Sequence, residues 1–185
     1  LAEHGAHRLR DGVQRVAEGV FAGWSRWEGR LDGPLRVCHG DLKISNLLFD
    51  AAGRGLCLID LDTIANLPLD IEMGDALRSW CNPAGEDVQE AICDPALFEA
   101  ASRAWVRACP QPPEEREAIV PGLERICLEL AARFAADALR ESYFGWNATK
   151  FPGRGEHNLL RAQGQLSLAR SVAAQRSALQ ACFAG

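Results

Sequence analysis

The sequence predicts an α+β fold, mostly helical, and two features carry that expectation. Apolar residues recur at three- and four-residue steps over most of the 185 residues, the period of helices with one buried stripe. Between Leu35 and Ile59 that period breaks into short apolar runs separated by polar turns, the pattern of short strands. A small β segment set into a helical body is therefore expected.

Residues 1–29 carry Leu9, Val13, Val16, Val20, Trp24 and Trp27 at helical steps and predict one helix, closed by the turn chemistry of Asp32-Gly33-Pro34. Leu35–Cys38, Leu47–Phe49 and Leu56–Ile59 read as strands, with a loop over 39–46 and a turn at Ala51-Ala52-Gly53-Arg54-Gly55. After Pro68 the helical period returns, and Leu69, Met73, Leu77 and Trp80 share a face that ends at Asn82-Pro83. Asp94-Pro95 places an N-cap before a proline suited to the first helical position, predicting a helix to about Ala108. A loop over 110–113 leads to a long helix from about Glu114 to Phe144, with Ile126, Leu130 and Phe134 inward and a bend near Pro121-Gly122. Residues 145–155 read as a loop and 156–182 as the last helix. Without repeats or a linker, 1–185 is expected to be one domain: a loop at 39–46, a second at 59–63, and a helical subdomain over 68–183.

Composition narrows the partners. The chain is 48% apolar and 24% charged with a formal net charge of −5, and its arginines are scattered, so nucleic acid is not the expected partner. No apolar run approaches the roughly 18 residues of a membrane span and no signal peptide is visible, so a soluble protein with no membrane partner is expected. The seven cysteines are odd in number, lack CxxC spacing and sit mostly among apolar neighbours, which favours reduced thiols and a cytoplasmic location. The chain opens on Leu1 and its sole methionine is Met73, which suggests numbering that starts inside a longer product.

The chemistry concentrates in His39-Gly40-Asp41-Leu42-Lys43-Ile44-Ser45-Asn46 and in Ile59-Asp60-Leu61-Asp62. Phosphoryl transfer needs a carboxylate to orient and deprotonate a hydroxyl, and oxygen ligands to hold magnesium on phosphates. Asp41 after a strand can be the carboxylate, Asn46 offers a neutral amide oxygen, and Asp60 at the end of the returning strand adds an anionic ligand. Two other readings stand beside this one. Asp41 and Asn46 could simply cap backbone groups in a polar turn. Alternatively His39, Asp41 and Asp60 could ligate the metal of a hydrolase, although no second histidine cluster accompanies them.

The spacing H-x-D-x-x-x-x-N, then a hydrophobic strand ending in Asp, resembles the catalytic and metal loops of protein kinase-like folds. Over roughly 36–170, the segments HGDLKISNLLFD, LCLIDLDT, GDALRS, ARFAADAL and HNLLRAQGQ resemble the C-lobe of the aminoglycoside phosphotransferase and choline kinase superfamily. Within it they look most similar to the N-acetylhexosamine kinase branch. The resemblance implies a protein kinase-like C-lobe that takes ATP as donor and Mg2+ as cofactor. The acceptor it implies is a hydroxyl of a sugar, aminosugar, aminoglycoside or amino alcohol. By the same resemblance Asp41 corresponds to the catalytic base, and Asn46 and Asp60 to magnesium ligands. Lys43 corresponds to a basic residue near the transferred phosphate, His39 belongs with the loop support, and Asp75 resembles an aspartate that braces the catalytic loop through its backbone.

Departures from protein kinases point to a small acceptor. Gly40 replaces an arginine, Ile-Asp-Leu-Asp replaces Asp-Phe-Gly, no Ala-Pro-Glu segment follows, and only a short segment joins Asp60 to the next helix. The glycine-rich turn, strand lysine and helix glutamate of a nucleotide-binding N-lobe have no counterparts. Gly19 and Gly23 lie in a helical pattern, and Gly53 and Gly55 in a turn after the catalytic loop. The chain is accordingly expected to be a C-lobe with the N-lobe absent. A non-catalytic binding module derived from such a lobe is the competing reading, and it would expose or self-associate the surface an N-lobe covers.

Several residues admit two roles. Asp62 is either a second magnesium-side carboxylate or a cap for the turn at Thr63. Arg78, three positions after Asp75, is either in an intrahelical ion pair or in contact with substrate. Arg133 and Asp137, one turn apart, form a structural salt bridge or, by the resemblance, face the sugar, and Arg161 has the same status. The tryptophans are read as core, with Trp146 beside Tyr143 the one placed to line a pocket. His4, His7 and His157 are read as exposed.

Overall fold

The computed structural model describes residues 4–183. Helix α1 (Arg10–Trp24) precedes strand β1 (Leu35–Cys38), the hairpin β2 (Leu47–Phe49) and β3 (Gly55–Leu58), and strand β4 (Ala65–Pro68). Four helices complete the chain: α2 (Leu69–Trp80), α3 (Pro95–Ala108), α4 (Pro113–Arg140) and α5 (Arg154–Ala181). The fold is α+β and mostly helical, as expected. No helix among the described residues is long and apolar enough to cross a membrane.

Local signals place several elements well. The Asp94 carboxylate accepts the Ala96 and Leu97 N–H groups at 2.8 and 3.0 Å with Pro95 behind it, and α3 ends at Ala108. Other boundaries move for reasons that lie elsewhere in the chain. The first helix covers only Arg10–Trp24 of the expected 1–29, and residues 1–3 lie outside the described residues. Beyond Trp24 the chain folds back: Trp27 stacks on Trp24 at 4.9 Å, and its indole N–H donates to the Pro121 carbonyl at 2.8 Å. Helix α4 stops at Arg140 rather than Phe144, with Glu141 in the left-handed region at φ 52°. There the Asp137 carboxylate takes the N–H groups of Ser142, Tyr143 and Phe144 and so replaces the next turn.

The β segment holds one strand more than expected. β4 pairs antiparallel with β1, Leu35 opposite Pro68 and Cys38 opposite Ala65, where the sequence reads only as a connection. Asn66 and Pro68 are poor strand formers, so its pairing partner makes this strand. β2 and β3 form a separate hairpin, and the Ile59 N–H continues it by donating to the Asn46 carbonyl at 3.0 Å.

Helix α4 lies at the centre, with α5, α2 and α1 packed on it. Met73 and Leu77 of α2, Ile119, Leu123 and Cys127 of α4, and Val172 of α5 are fully buried. The crossing of α2 and α4 depends on two glycines. A Cβ at Gly74 would sit 2.8 Å from the Gly122 and Leu123 backbone, and one at Gly122 would overlap the Asp70 carbonyl oxygen. Both obstacles are backbone inside helices and cannot rotate aside. Gly122→Ala gains about 1 kcal/mol of helix propensity, yet overpacking of this kind costs about 1–3 kcal/mol. We therefore expect a net loss, seen as a lower urea midpoint at unchanged m; a midpoint equal to or above wild type would contradict this account.

Candidate active site

The loop 39–46 is held from four directions. Glu72, buried on α2, accepts the His39 N–H at 2.9 Å with one oxygen and the Gly40 N–H at 2.8 Å with the other. The Thr63 hydroxyl donates to the His39 carbonyl at 2.7 Å, and the Trp80 indole N–H donates to the Leu42 carbonyl at 2.7 Å. The His39 ring closes the turn itself: Nε2 lies 3.0 Å from the Ile59 carbonyl, and Nδ1 lies 3.3 Å from the Asp41 N–H. Both contacts are satisfied together by the Nε2–H tautomer. Gly40 adopts φ +82°, and a Cβ there would lie 2.6 Å from the Thr63 carbonyl oxygen, so this position needs glycine.

One expectation is corrected here. The brace assigned by resemblance to Asp75 is made by Glu72, three residues earlier on the same helix. Asp75 instead accepts from Arg78 Nε at 3.0 Å, and Arg78 also reaches Glu86 at 3.1 Å. The intrahelical ion pair is thus the role Arg78 fills. Glu72 was visible in the sequence only as a carboxylate on the inward stripe of Leu69, Met73 and Leu77; Thr63 and Trp80 carried no signal for their contacts.

The loop presents Asp41, Lys43 and Asn46 together. Lys43 Nζ donates to Asp41 Oδ2 at 2.5 Å and lies 3.9 Å from Asp60 Oδ2, so one ammonium faces both carboxylates. Hydrogen bonding to Asp41, against the opposing effect of burial, pushes Lys43 above the ordinary lysine value. Asn46 Nδ2 donates to the Asp41 carbonyl at 2.9 Å and to Asp41 Oδ2 at 3.1 Å. Its amide nitrogen is therefore committed and the carbonyl oxygen is what it can offer a cation, while Asp41 Oδ1 makes no hydrogen bond among the described residues. Asp60 sits at φ 66°, a left-handed conformation uncommon outside glycine, asparagine and aspartate, with its carboxylate half exposed. Asp62, in the 3-10 turn Leu61–Thr63, is exposed and makes no hydrogen bond among the described residues.

No group of three or more His, Cys, Asp or Glu among the described residues is arranged to hold a metal ion. Magnesium does not need one, since it commonly takes one or two protein oxygens and completes its shell with water and phosphate. Asn46 and Asp60 fit that requirement, and the ammonium between the two carboxylates marks a place where positive charge is favoured. His39 has no ring nitrogen to spare, which counts against the hydrolase reading.

Beside the loop, a cavity of about 260 Å3 runs from Gly40 past Asp75 to Leu130 and Arg133, and Arg133 also lines a second of about 500 Å3 with Arg140, Tyr143 and Phe144. Arg133 and Asp137 form no salt bridge with each other. Asp137, buried, spends both oxygens on the three backbone N–H groups and on Asn158 Nδ2 at 2.9 Å. The Arg133 guanidinium lies over Phe144 and Tyr143, 5.5 and 5.9 Å from the ring centres. His157 is fully buried, contrary to expectation. Its Nε2 lies 2.7 Å from Asp87, its Nδ1 accepts the Asn147 N–H, and Phe151 stacks on the ring at 4.0 Å. Arg161 bonds Asp87 and the Gly145 carbonyl, each at 2.8 Å, so it holds the 145–151 loop; Trp146 in that loop is half-buried. In and after the loop, Ile44, Leu48, Leu58, Ile59 and Leu61 are each exposed apolar residues.

Burial pushes the Asp137 carboxyl up, but the three N–H donors more than reverse this and hold it below the ordinary 3.8. A depressed carboxylate contributes stability that is present above the unfolded value and lost as pH falls through the lower folded value. We expect Asp137→Asn to be less stable than wild type at neutral pH, with the gap narrowing as pH falls below 3.8. A gap independent of pH in denaturant titrations would refute the charge-based role.

The loop 39–46, the Asp60 turn, the Glu72 brace and Asp75 all fall within the segment matched by one family model. That model, the phosphotransferase enzyme family (APH), matches residues 2–113, well over half the chain and ending where α4 begins. The chain belongs to the phosphotransferase enzyme family, within the kinase-like superfamily.

Proposed function

We propose that this chain carries the catalytic centre of an ATP- and magnesium-dependent kinase that phosphorylates a hydroxyl of a small molecule. The acceptor is a sugar, aminosugar, aminoglycoside or amino alcohol. One observation carries the reading: Asp41 is presented with one oxygen bound by Lys43 and Asn46 and the other unengaged, with Asp60 facing the same ammonium. The acceptor hydroxyl would donate to Asp41 Oδ1. As its oxygen attacks the γ-phosphorus, the proton passes to Asp41, the bond to the bridging oxygen breaks, and ADP leaves with the electron pair. Lys43 would turn from Asp41 to the phosphate, relieving the carboxylate of a positive charge that weakens it as a base. Asn46 and Asp60 would hold magnesium, which when bound neutralises phosphate charge. Glu72, Thr63 and Trp80 keep the loop from moving while this happens, and the exposed Leu48, Leu58 and Ile59 offer apolar surface of the kind the face of a purine needs. The family match leaves the branch open, and we carry the N-acetylhexosamine kinase likeness only as part of this proposal.

The second reading is a non-catalytic module. Its support is the exposure of Val37, Leu35 and Leu56, each more than 60% accessible, on the strands flanking the loop. Such a face would bind a partner or a second copy.

A thermal-shift titration with magnesium and ATP separates the two. A site filled at 100 times Kd adds about 2.7 kcal/mol. Wild type and Asp41→Asn should both show a magnesium-dependent shift, and Asp60→Asn should lose most of it. With an accepted sugar, Asp41→Asn should lower kcat by about 10²–10⁴-fold. Near-wild-type turnover in Asp41→Asn removes the base assignment. No shift in any of the three proteins favours the module.

A further inference from the structure

The two cavities that share Arg133 differ in how their charges are compensated. In the smaller cavity each lining acid has a partner: Glu72 accepts two backbone N–H groups, Asp75 pairs with Arg78, and Glu129 lies 3.6 Å from Arg125. At the far end Asp137 is spent on backbone and on Asn158. Arg133 and Arg140 line the larger cavity from one face of α4, and neither has a carboxylate within ion-pair distance among the described residues. The Arg133 guanidinium is oriented by lying over Tyr143 and Phe144. The larger cavity thus holds two guanidinium groups against one carboxylate, Asp137, whose oxygens are already taken by neutral donors.

We propose that this end of the groove binds an oxyanion, a carboxylate or phosphate carried by the acceptor, through Arg133 and Arg140. Guanidinium forks match the paired oxygens of such groups, and the bonds are charge-assisted. An ammonium at the same place would meet two guanidinium groups and a carboxylate with no oxygen to spare, so amine-bearing acceptors that reach this end are disfavoured. A neutral hydroxyl would draw only ordinary hydrogen bonds from the same donors. The acceptor is then a hydroxylated molecule with its anionic group at the Arg133 end and its reacting hydroxyl at the Gly40 end. This deepens the kinase reading and rests on it only in taking the groove as the acceptor site.

The test is calorimetric titration of the protein, without nucleotide, with glucuronate, glucose 6-phosphate, glucose and glucosamine. At least one oxyanion sugar should bind about tenfold or more tightly than glucose, the scale of one charge-assisted hydrogen bond. Which of the two does so identifies the group. Arg133→Gln and Arg140→Gln, both at exposed positions, should each erase that preference, and Arg140→Lys should keep part of it. Glucose or glucosamine binding as tightly as both anions, a preference that survives both glutamine substitutions, or no saturable binding of either anion overturns the proposal. The kinase reading fails separately: if the oxyanion sugar binds as expected but magnesium and ATP never yield a phosphorylated product, the anion site stands without it. Phosphorylation of the oxyanion sugars at rates indifferent to both arginine substitutions leaves the kinase and removes the anion site.

Discussion

The Glu72 carboxylate, closed on the N–H groups of His39 and Gly40, is the contact on which the site depends. A buried carboxylate is costly unless its charge is met by donors, and here two backbone N–H groups from another element meet it. The loop is thereby registered to a core helix rather than to its flanking strands. Trp80, at the other end of α2, holds Leu42 in the same way. Helix α2 is in turn set by its contact with α4, where Gly74 and Gly122 let the backbones touch. The position of Asp41 thus traces back to two glycines in helix interiors.

The β segment is a consequence of that arrangement more than its cause. β1 with β4 and β2 with β3 are separate two-stranded pairs, and pairs of that size have little stability alone. The loop 39–46 and the Asp60 turn run between them, tied by the Thr63 hydroxyl and by the Ile59 carbonyl. Two residues sit at positive φ in this junction, Gly40 and Asp60. Glycine accepts the first without strain. Asp60 pays a conformational penalty there, tolerable because the strand before it and the turn after it are both fixed.

What could be read from the sequence follows the range of the interactions. The Asp94-Pro95 helix start was legible because a cap is a local contract between neighbouring residues. The loop at 39–46 was legible because its chemistry lies in one contiguous stretch. β4 was not, since its strand character comes from pairing with β1, some thirty positions earlier. The likeness that pointed to Asp75 found the right helix and missed the residue by about one turn, and no spacing rule separates two acids on one helix when the target is a loop elsewhere. His157 reads as exposed because α5 is polar at its start; its burial is set by Asp87 and Phe151, which only the folded chain brings to it.

The two ends of the groove are built on different supports, and that bears on selectivity. The Asp41 end hangs from α2 through Glu72 and Trp80. The arginine end is part of α4 and of the turn that Asp137 organises behind it. Neither end is carried by an untethered loop, since Arg161 and His157 also fasten the 145–151 segment to α5. The span between Asp41 and the guanidinium pair is therefore a property of helix packing at the Gly74–Gly122 contact. Close-packed interiors do not stretch by small amounts, so the separation of Asp41 from the arginine pair is set by the packing of α2 on α4.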